Sequence, residues 1–358
     1  MIFLKKFVAW IIMLIIALTQ LLLYIPIFSC RDTGPSPVCI EQFRFSIIGS
    51  SAITEEFINS VKEVLKLISY LAIDMGWSTR MTDSEIYREE NLVDTFDAEN
   101  VYSVNHFGYC KKKHNSIVYC ARNGHSGMDV LGILVRDIGI QLGMLSISHQ
   151  NETTMVGDSL VLTYHLGLTS LKKFLKAKQT STLSKVLLLE DGQTERTNNT
   201  GPPQFAKGVA LARFLQLANA GVLIMLINEI AASTLCLLAV LAYGITLILK
   251  LKVRILITAL KVAASTLIAI ATITFTSTLL YFLALKTLEP SSDPLQPPTK
   301  WDIMQVSVGP GFVIGWIRYA LQIILLPLVF LTIRYYRARE EPCQVVEEPN
   351  TGQLKDWA

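Results

Sequence analysis

Cys110, His114, Cys120 and His125 form a C-x3-H-x5-C-x4-H run. Thiolate sulfur and imidazole nitrogen are zinc ligands, so one reading is a metal site. The spacing matches no common finger, and Lys111, Lys112 and Lys113 would stand beside any bound cation. The other reading, a disulfide, is favoured by an even set of four cysteines in one segment, Cys30, Cys39, Cys110 and Cys120. Cys110–Cys120 and Cys30–Cys39 would be the local pairing, but four cysteines allow three connectivities and the sequence leaves all three open.

The other two cysteines, Cys236 in an apolar block and Cys343 in the polar tail, are expected to stay reduced. Cys343, close to the last apolar block, is a palmitoylation candidate. Asn151-Glu152-Thr153 and Asn198-Asn199-Thr200 are N-glycosylation sequons, with Asn151 and Asn198 as the acceptors. Residues 83 to 99 hold seven acids against one base, Arg88, without the calcium-loop pattern, and read as a solvated acidic loop. No nucleophile elbow, HEXXH, phosphate loop or dinucleotide fingerprint is present, and the five histidines have no evident nucleophile partner. An enzyme is not expected, and neither a metal nor another cofactor is called for.

The elements around these residues follow from composition. Apolar residues make up 51% of the 358-residue chain and charged residues 17%, against roughly 25% in a soluble domain. Between residues 30 and 208, 18 Lys/Arg face 20 Asp/Glu, so there is no basic footprint for nucleic acid. Four apolar blocks are each long enough to cross a bilayer as a helix. They are residues 7–28, an uncleaved signal anchor by its length and bulky end, then 222–249, 255–285 and 312–333. Lys5 and Lys6, then Lys250, Lys252, Arg254 and Lys261, then Arg334, Arg337 and Arg339 put the basic flanks on one side. Residues 1–6 and the 334–358 tail are therefore read as cytoplasmic, and 29–208 and the 286–311 loop as luminal. The expected fold is a membrane α-helical protein: four transmembrane helices with a large disulfide-bearing luminal α+β domain between the first and second.

Within 29–208, Phe57, Val61, Val64, Leu65, Ile68 and Leu71 recur at helical spacing and predict a helix over 54–73. Residues 127–146 read as a buried helix or strand pair, 157–176 as a helix ending in Lys172, Lys173 and Lys176, and 179–208 as a polar linker. Glu229 and Arg318 lie inside apolar blocks. An ionised group there calls for a partner, so the two pair inside the bundle or each snorkels to the interface. Gly309, Gly311 and Gly315 open the fourth block and read as small residues for close helix packing. The hydroxyl-rich third block, with Thr266, Thr274, Thr276 and Thr278 among its residues, fits interhelical hydrogen bonding or a pore lining.

The runs LISYLAIDMGWS (67–78), ENLVDTF (90–96), FGYCKKKHNSIVYC (107–120), GMDVLGILVRDIGIQLG (127–143), GDSLVLTYHLGLTS (157–170), ALKTLEP (284–290) and VGPGFVIGWIRYALQ (308–322) resemble the yeast spore membrane assembly protein family. The likeness spans nearly the whole chain except the 179–205 linker and the tail. It implies a multi-pass protein of the prospore membrane, reached through the endoplasmic reticulum, that is needed for membrane precursors to join into a continuous membrane in ascospore formation. It carries over no catalytic, metal or cofactor residue. The partners it implies are membrane lipids and other membrane-assembly proteins, with self-association open and no nucleic acid. More distantly, the FGYC…YC pair before the spans is similar to the fungal claudin-like tetraspan group, whose members organise plasma membrane or regulate calcium influx.

Overall fold

The computed structural model describes residues 2–30, 38–49, 52–74, 92–122, 127–146, 150–177, 204–249, 254–290 and 302–337. In chain order these give α1 (Ile2–Leu22), β1 (Phe43–Ile47), α2 (Ala52–Asp74), β2 (Asn100–Asn105), β3 (Gly108–Lys113), β4 (Ser116–Arg122), α3 (Val130–Ser146), α4 (Gln150–Ala177), α5 (Gln204–Ile248), α6 (Arg254–Lys286), β5 (Met304–Val308) and α7 (Pro310–Arg337). Pro26 ends the first apolar run by opening a short 3-10 turn over Ile25–Phe28. The Gly108–Arg122 hairpin turns at His114 and Asn115, both at positive φ, the geometry of a two-residue turn that matches strand twist. Pro310 opens α7, where its missing N–H leaves no bond unmade.

Four helical segments are long and apolar enough to cross a membrane: Lys6–Phe28, Leu211–Ile248, Ile255–Lys286 and Pro310–Arg334. The second is longer than its apolar block: α5 begins at Gln204, inside the stretch expected to be a polar linker. Residues 204–210 hold no proline, and the one weak helix former, Gly208, is too little to stop the helix from propagating back from the apolar run towards Pro203.

The chain divides into two compact units. One, the bundle unit, comprises Met1–Leu22, Glu229–Ala271 and Arg318–Ala358. Its core is Met13, Cys236, Val240, Leu260, Leu267, Leu325 and Val329. Trp10 donates its indole N–H to the Val240 carbonyl at 3.0 Å and lies where a side chain at Gly244 would be, so the glycine lets α1 and α5 close up.

The other, the sheet unit, comprises Leu23–Asn228 and Thr272–Ile317. It is built on a five-stranded antiparallel sheet in the order β4-β3-β2-β1-β5. Strand β1 alternates strictly, with Phe43, Phe45 and Ile47 buried and Arg44 exposed. Its inner face carries an aromatic run, Phe45 on Tyr102, Tyr102 by Tyr109 and Tyr109 by Tyr119, at centroid distances of 5.0, 6.5 and 6.2 Å. Ile133, Leu134 and Ile140 of α3, Leu215 and Val222 of α5, and Tyr281, Phe282 and Leu285 of α6 complete that core. The Tyr281 hydroxyl donates to the Met128 carbonyl at 2.7 Å, and Asn219 accepts the Met128 N–H at 2.8 Å.

Strand β5 comes from the loop expected between the third and fourth spans, and it covers the free edge of β1 from Phe43↔Val308 to Ile47↔Met304. Gly309 and Gly311 then press against the backbone of Glu41 and the side chain of Gln42, so their smallness serves this chain crossing rather than helix packing. A side chain at Gly315 would meet nothing within 4 Å. Residues 127–146, left open between helix and strands, form α3.

Helices α3 and α4 meet at Gly139, where an added Cβ would lie 2.6 Å from the Gly157 Cα. Gly139→Ala should therefore destabilise by about 1–3 kcal/mol despite alanine's better helix propensity. Gly167→Ala, in the same pair of helices but facing open space, should be neutral or slightly stabilising. Thermal melts of the detergent-solubilised protein would distinguish the two.

Candidate functional site

The most densely wired group of side chains in the sheet unit surrounds Asp137 of α3, which is 0% exposed. Its Oδ2 lies 2.8 Å from the Tyr102 hydroxyl, accepts from the Thr95 hydroxyl at 2.7 Å and from its own helix's Gln141 at 2.5 Å, and has the Lys111 ammonium 3.4 Å away. The Tyr119 hydroxyl donates to Oδ1. Donors thus converge from β2, β3, β4, the segment before β2, and α3. Burial first pushes the phenols of Tyr102 and Tyr119 well above their usual range. The Asp137 charge comes next for Tyr102, and neighbouring Tyr109 and then Asp137 for Tyr119, so both stay protonated donors.

Beside it, Asp94 receives the ammonium groups of Lys111 and, at 3.1 Å, Lys113. Burial pushes the Asp94 carboxyl up, but the charges and hydrogen bonds of Lys111 and Lys113 outweigh it and hold the group below its ordinary value. The Lys113 ammonium shows the mirror effect. Burial pushes it down, and hydrogen bonds and charge from Asp94 and Asp97 more than reverse that. The described end of the acidic stretch is therefore the counter-charge of the lysine run in β3, not a freely solvated loop. At the hairpin tip His114 faces Glu99 at 3.2 Å.

The four cysteines of this unit gather in one buried cluster as Cys30–Cys39 and Cys110–Cys120 disulfides. The second bridge joins directly opposed residues of β3 and β4. His114 stands at the exposed turn while Cys110 is wholly buried, and His125 lies outside the described residues. Among the described residues, the one grouping of three metal-ligating side chains within reach of each other is Cys30, Cys39 and Cys110, whose sulfurs are committed to disulfides. Within the sheet unit Asn105 ties the Ile25–Phe28 turn to the segment before β1, donating to the carbonyls of Pro26 and Ile40 at 2.8 and 2.7 Å.

In the bundle unit, Arg318 of α7 donates to both carboxylate oxygens of Glu229 of α5, from Nε at 3.0 Å and Nη2 at 3.4 Å. Gln322, one turn beyond Arg318, adds a third donor to Oε1 at 2.9 Å. All three side chains are buried. Sequence reasoning named the two charges and missed the glutamine, although the i, i+4 spacing from Arg318 was a usable signal. The hydroxyls of Thr266, Thr276 and Thr278 donate to carbonyls of their own helix four residues back. Asn151 falls in the first turn of α4, and the hydroxyl-bearing Thr153 of its sequon is buried. Asn198 and Cys343 lie outside the described residues.

These groups hold charge and covalent links in place. The Asp137, Asp94 and Glu229 carboxylates are each held by the chain's own donors. What kind of protein carries such an arrangement is answered by comparison. The family described as spore membrane assembly protein 2 matches residues 2–349. The chain belongs to that family. The spore membrane assembly protein 2 of Candida glabrata is 43% identical over 95% of this chain and 97% of its own length. The protein of the same name from Vanderwaltozyma polyspora is 44% identical over 94% and 93%. That of Saccharomyces cerevisiae S288c is 43% identical over 95% and 94%. No solved structure matches the chain.

Two outcomes follow from this geometry. Glu229→Lys or Arg318→Glu alone leaves a buried charge opposite its like and should lower stability by about 3–5 kcal/mol, read as lost yield of folded protein. The double reversal should recover most of it, and no recovery would show that the two do not act as a pair. Because the Asp94 carboxyl titrates lower in the folded than in the unfolded chain, its stabilisation is complete above the ordinary carboxylate range. It is lost as pH falls below about 4 and through the depressed value. Melting temperature should drop over that window more steeply in the parent protein than in Asp94→Asn.

Proposed function

We propose that the chain is a non-enzymatic, four-span protein of the prospore membrane, required for membrane precursors to assemble into a continuous membrane as spores and asci form. The observation that carries this reading is end-to-end similarity, at 43% identity over 97% of the relative's length, to proteins named for spore membrane assembly. Four apolar helices support residence in a membrane. In this reading the protein enters at the endoplasmic reticulum with the first helix as an uncleaved signal anchor. Both termini face the cytoplasm, and the disulfide-bearing segment 29–208 and the 286–311 loop face the lumen. Its partners are membrane lipids and other membrane-assembly proteins. The pairing of β1 with β5 supports one element of that topology, because both strands must then lie on the same side of the membrane. The disulfide-bearing sheet with α2, α3 and α4 serves as a stiff extramembrane module that holds spacing or recruits partners while membranes fuse and extend.

The test is a C-terminally fluorescent copy followed through sporulation in its native host, with a deletion strain alongside. The expected result is label on the growing prospore membrane and broken or missing spore membranes in the deletion. Label on the vegetative plasma membrane with normal spores would overturn the proposal and favour a claudin-like membrane organiser or regulator of ion influx.

A further inference from the structure

Two helices of the sheet unit present apolar stripes outward. On α2, Val64, Leu67, Ile68 and Leu71 are all exposed, Leu67 to 60%, at the i, i+3, i+4, i+7 spacing of one helical face. The opposite face of the same helix, with Ile58, Leu65 and Ile73, is the buried one. On α4, Met155, Leu162 and Leu166 are each exposed above 60%. That helix is packed through Thr153, Gly157 and Val161, which leaves the stripe on its far side. Neither helix is among the four segments apolar enough to cross a membrane. Clustered apolar exposure on a helix outside such segments marks a docking surface rather than scattered surface residues.

Charge and register say what fits. By helical period, the exposed acids Glu56 and Glu63 line one flank of the α2 stripe. In the sequence of α4, the positions of Lys172 and Lys176 fall on the corresponding flank of its stripe, and that of Lys173 falls in line with the stripe. When two helices pack antiparallel, corresponding flanks meet. Glu56 precedes the middle of the α2 stripe, and Lys172–Lys173 follow the middle of the α4 stripe, by the same axial distance of about 17 Å. Antiparallel docking therefore sets the acidic end of one helix level with the basic end of the other while the two stripes meet.

We propose that the α2 stripe of one copy of this chain docks antiparallel on the α4 stripe of a second copy. The two faces differ, so the contact is heterologous. In a pair, one copy keeps its α4 face free and the other its α2 face, so the contact propagates into rings or open arrays. This association depends only on the sheet unit's two faces and stands whether or not the membrane reading above holds.

The experiment uses the full-length protein with Cys236 and Cys343 changed to serine, expressed as two differently tagged copies. One carries Leu67→Cys and the other Leu162→Cys, and membranes are treated with a short bismaleimide. The expected product is a shift from monomer to dimer mass carrying both tags. Neither Leu67→Cys nor Leu162→Cys expressed alone should give that shift. Glu56→Lys should diminish the mixed product, and adding Lys172→Glu and Lys173→Glu to the partner copy should restore it. A dimer from Leu67→Cys alone would overturn the proposal in favour of a symmetric α2 contact. No cross-link in any combination, with thiols that still react with a monofunctional maleimide, would overturn it in favour of coverage by lipid or another protein.

Discussion

The Asp137 carboxylate is the constraint on which the sheet unit depends. A buried, ionised oxygen pair without donors is among the most unfavourable groups a fold can hold. Here it lies where α3 meets the sheet, and each neighbouring element supplies one answer to it: Tyr102 from β2, Lys111 from β3, Tyr119 from β4, Thr95 from the segment before β2. None of these elements can shift without leaving a donor or the acceptor unpaired in the interior. The apolar core of Phe45, Ile133 and Leu285 gives the unit its bulk stability, whereas the carboxylate fixes which strand faces which helix.

The bundle unit repeats the same solution with fewer parts. Glu229 is held by a two-point guanidinium and by the Gln322 amide, so an apolar helix bundle carries a charge that is satisfied internally. In a bundle whose core is otherwise mostly apolar, such a group helps specify the rotation of α5 against α7, because apolar packing alone tolerates several.

Much of this was legible in the chain because the signals are long. Twenty-residue apolar runs, the period of α2, the cysteine count and the two isolated charges all point to elements that exist. The architecture of the sheet was hidden for specific reasons. MQVSV, the β5 segment, is five residues beside a proline-rich stretch, too short for alternation to stand out. Asp94 and Lys111 are seventeen residues apart, and only the hairpin brings them together. The aromatic run over Phe45, Tyr102, Tyr109 and Tyr119 comes from four strands, and no local pattern announces a cross-strand ladder. Gln322 was overlooked because an amide one turn from an arginine is unremarkable until the carboxylate they share is known.

The position of β5 in the chain sets a clock on biosynthesis. Strands β1 to β4 are complete once residue 122 has been made, yet the edge of β1 has no partner until residues 304–308 exist. At about 5–20 residues per second, those roughly 180 further residues take about 10–40 seconds. For that interval an apolar strand edge beginning Phe43-Arg44-Phe45 stands open, a template for wrong pairing with any neighbouring chain. The nascent protein therefore has a built-in period of vulnerability that ends only when its penultimate element arrives.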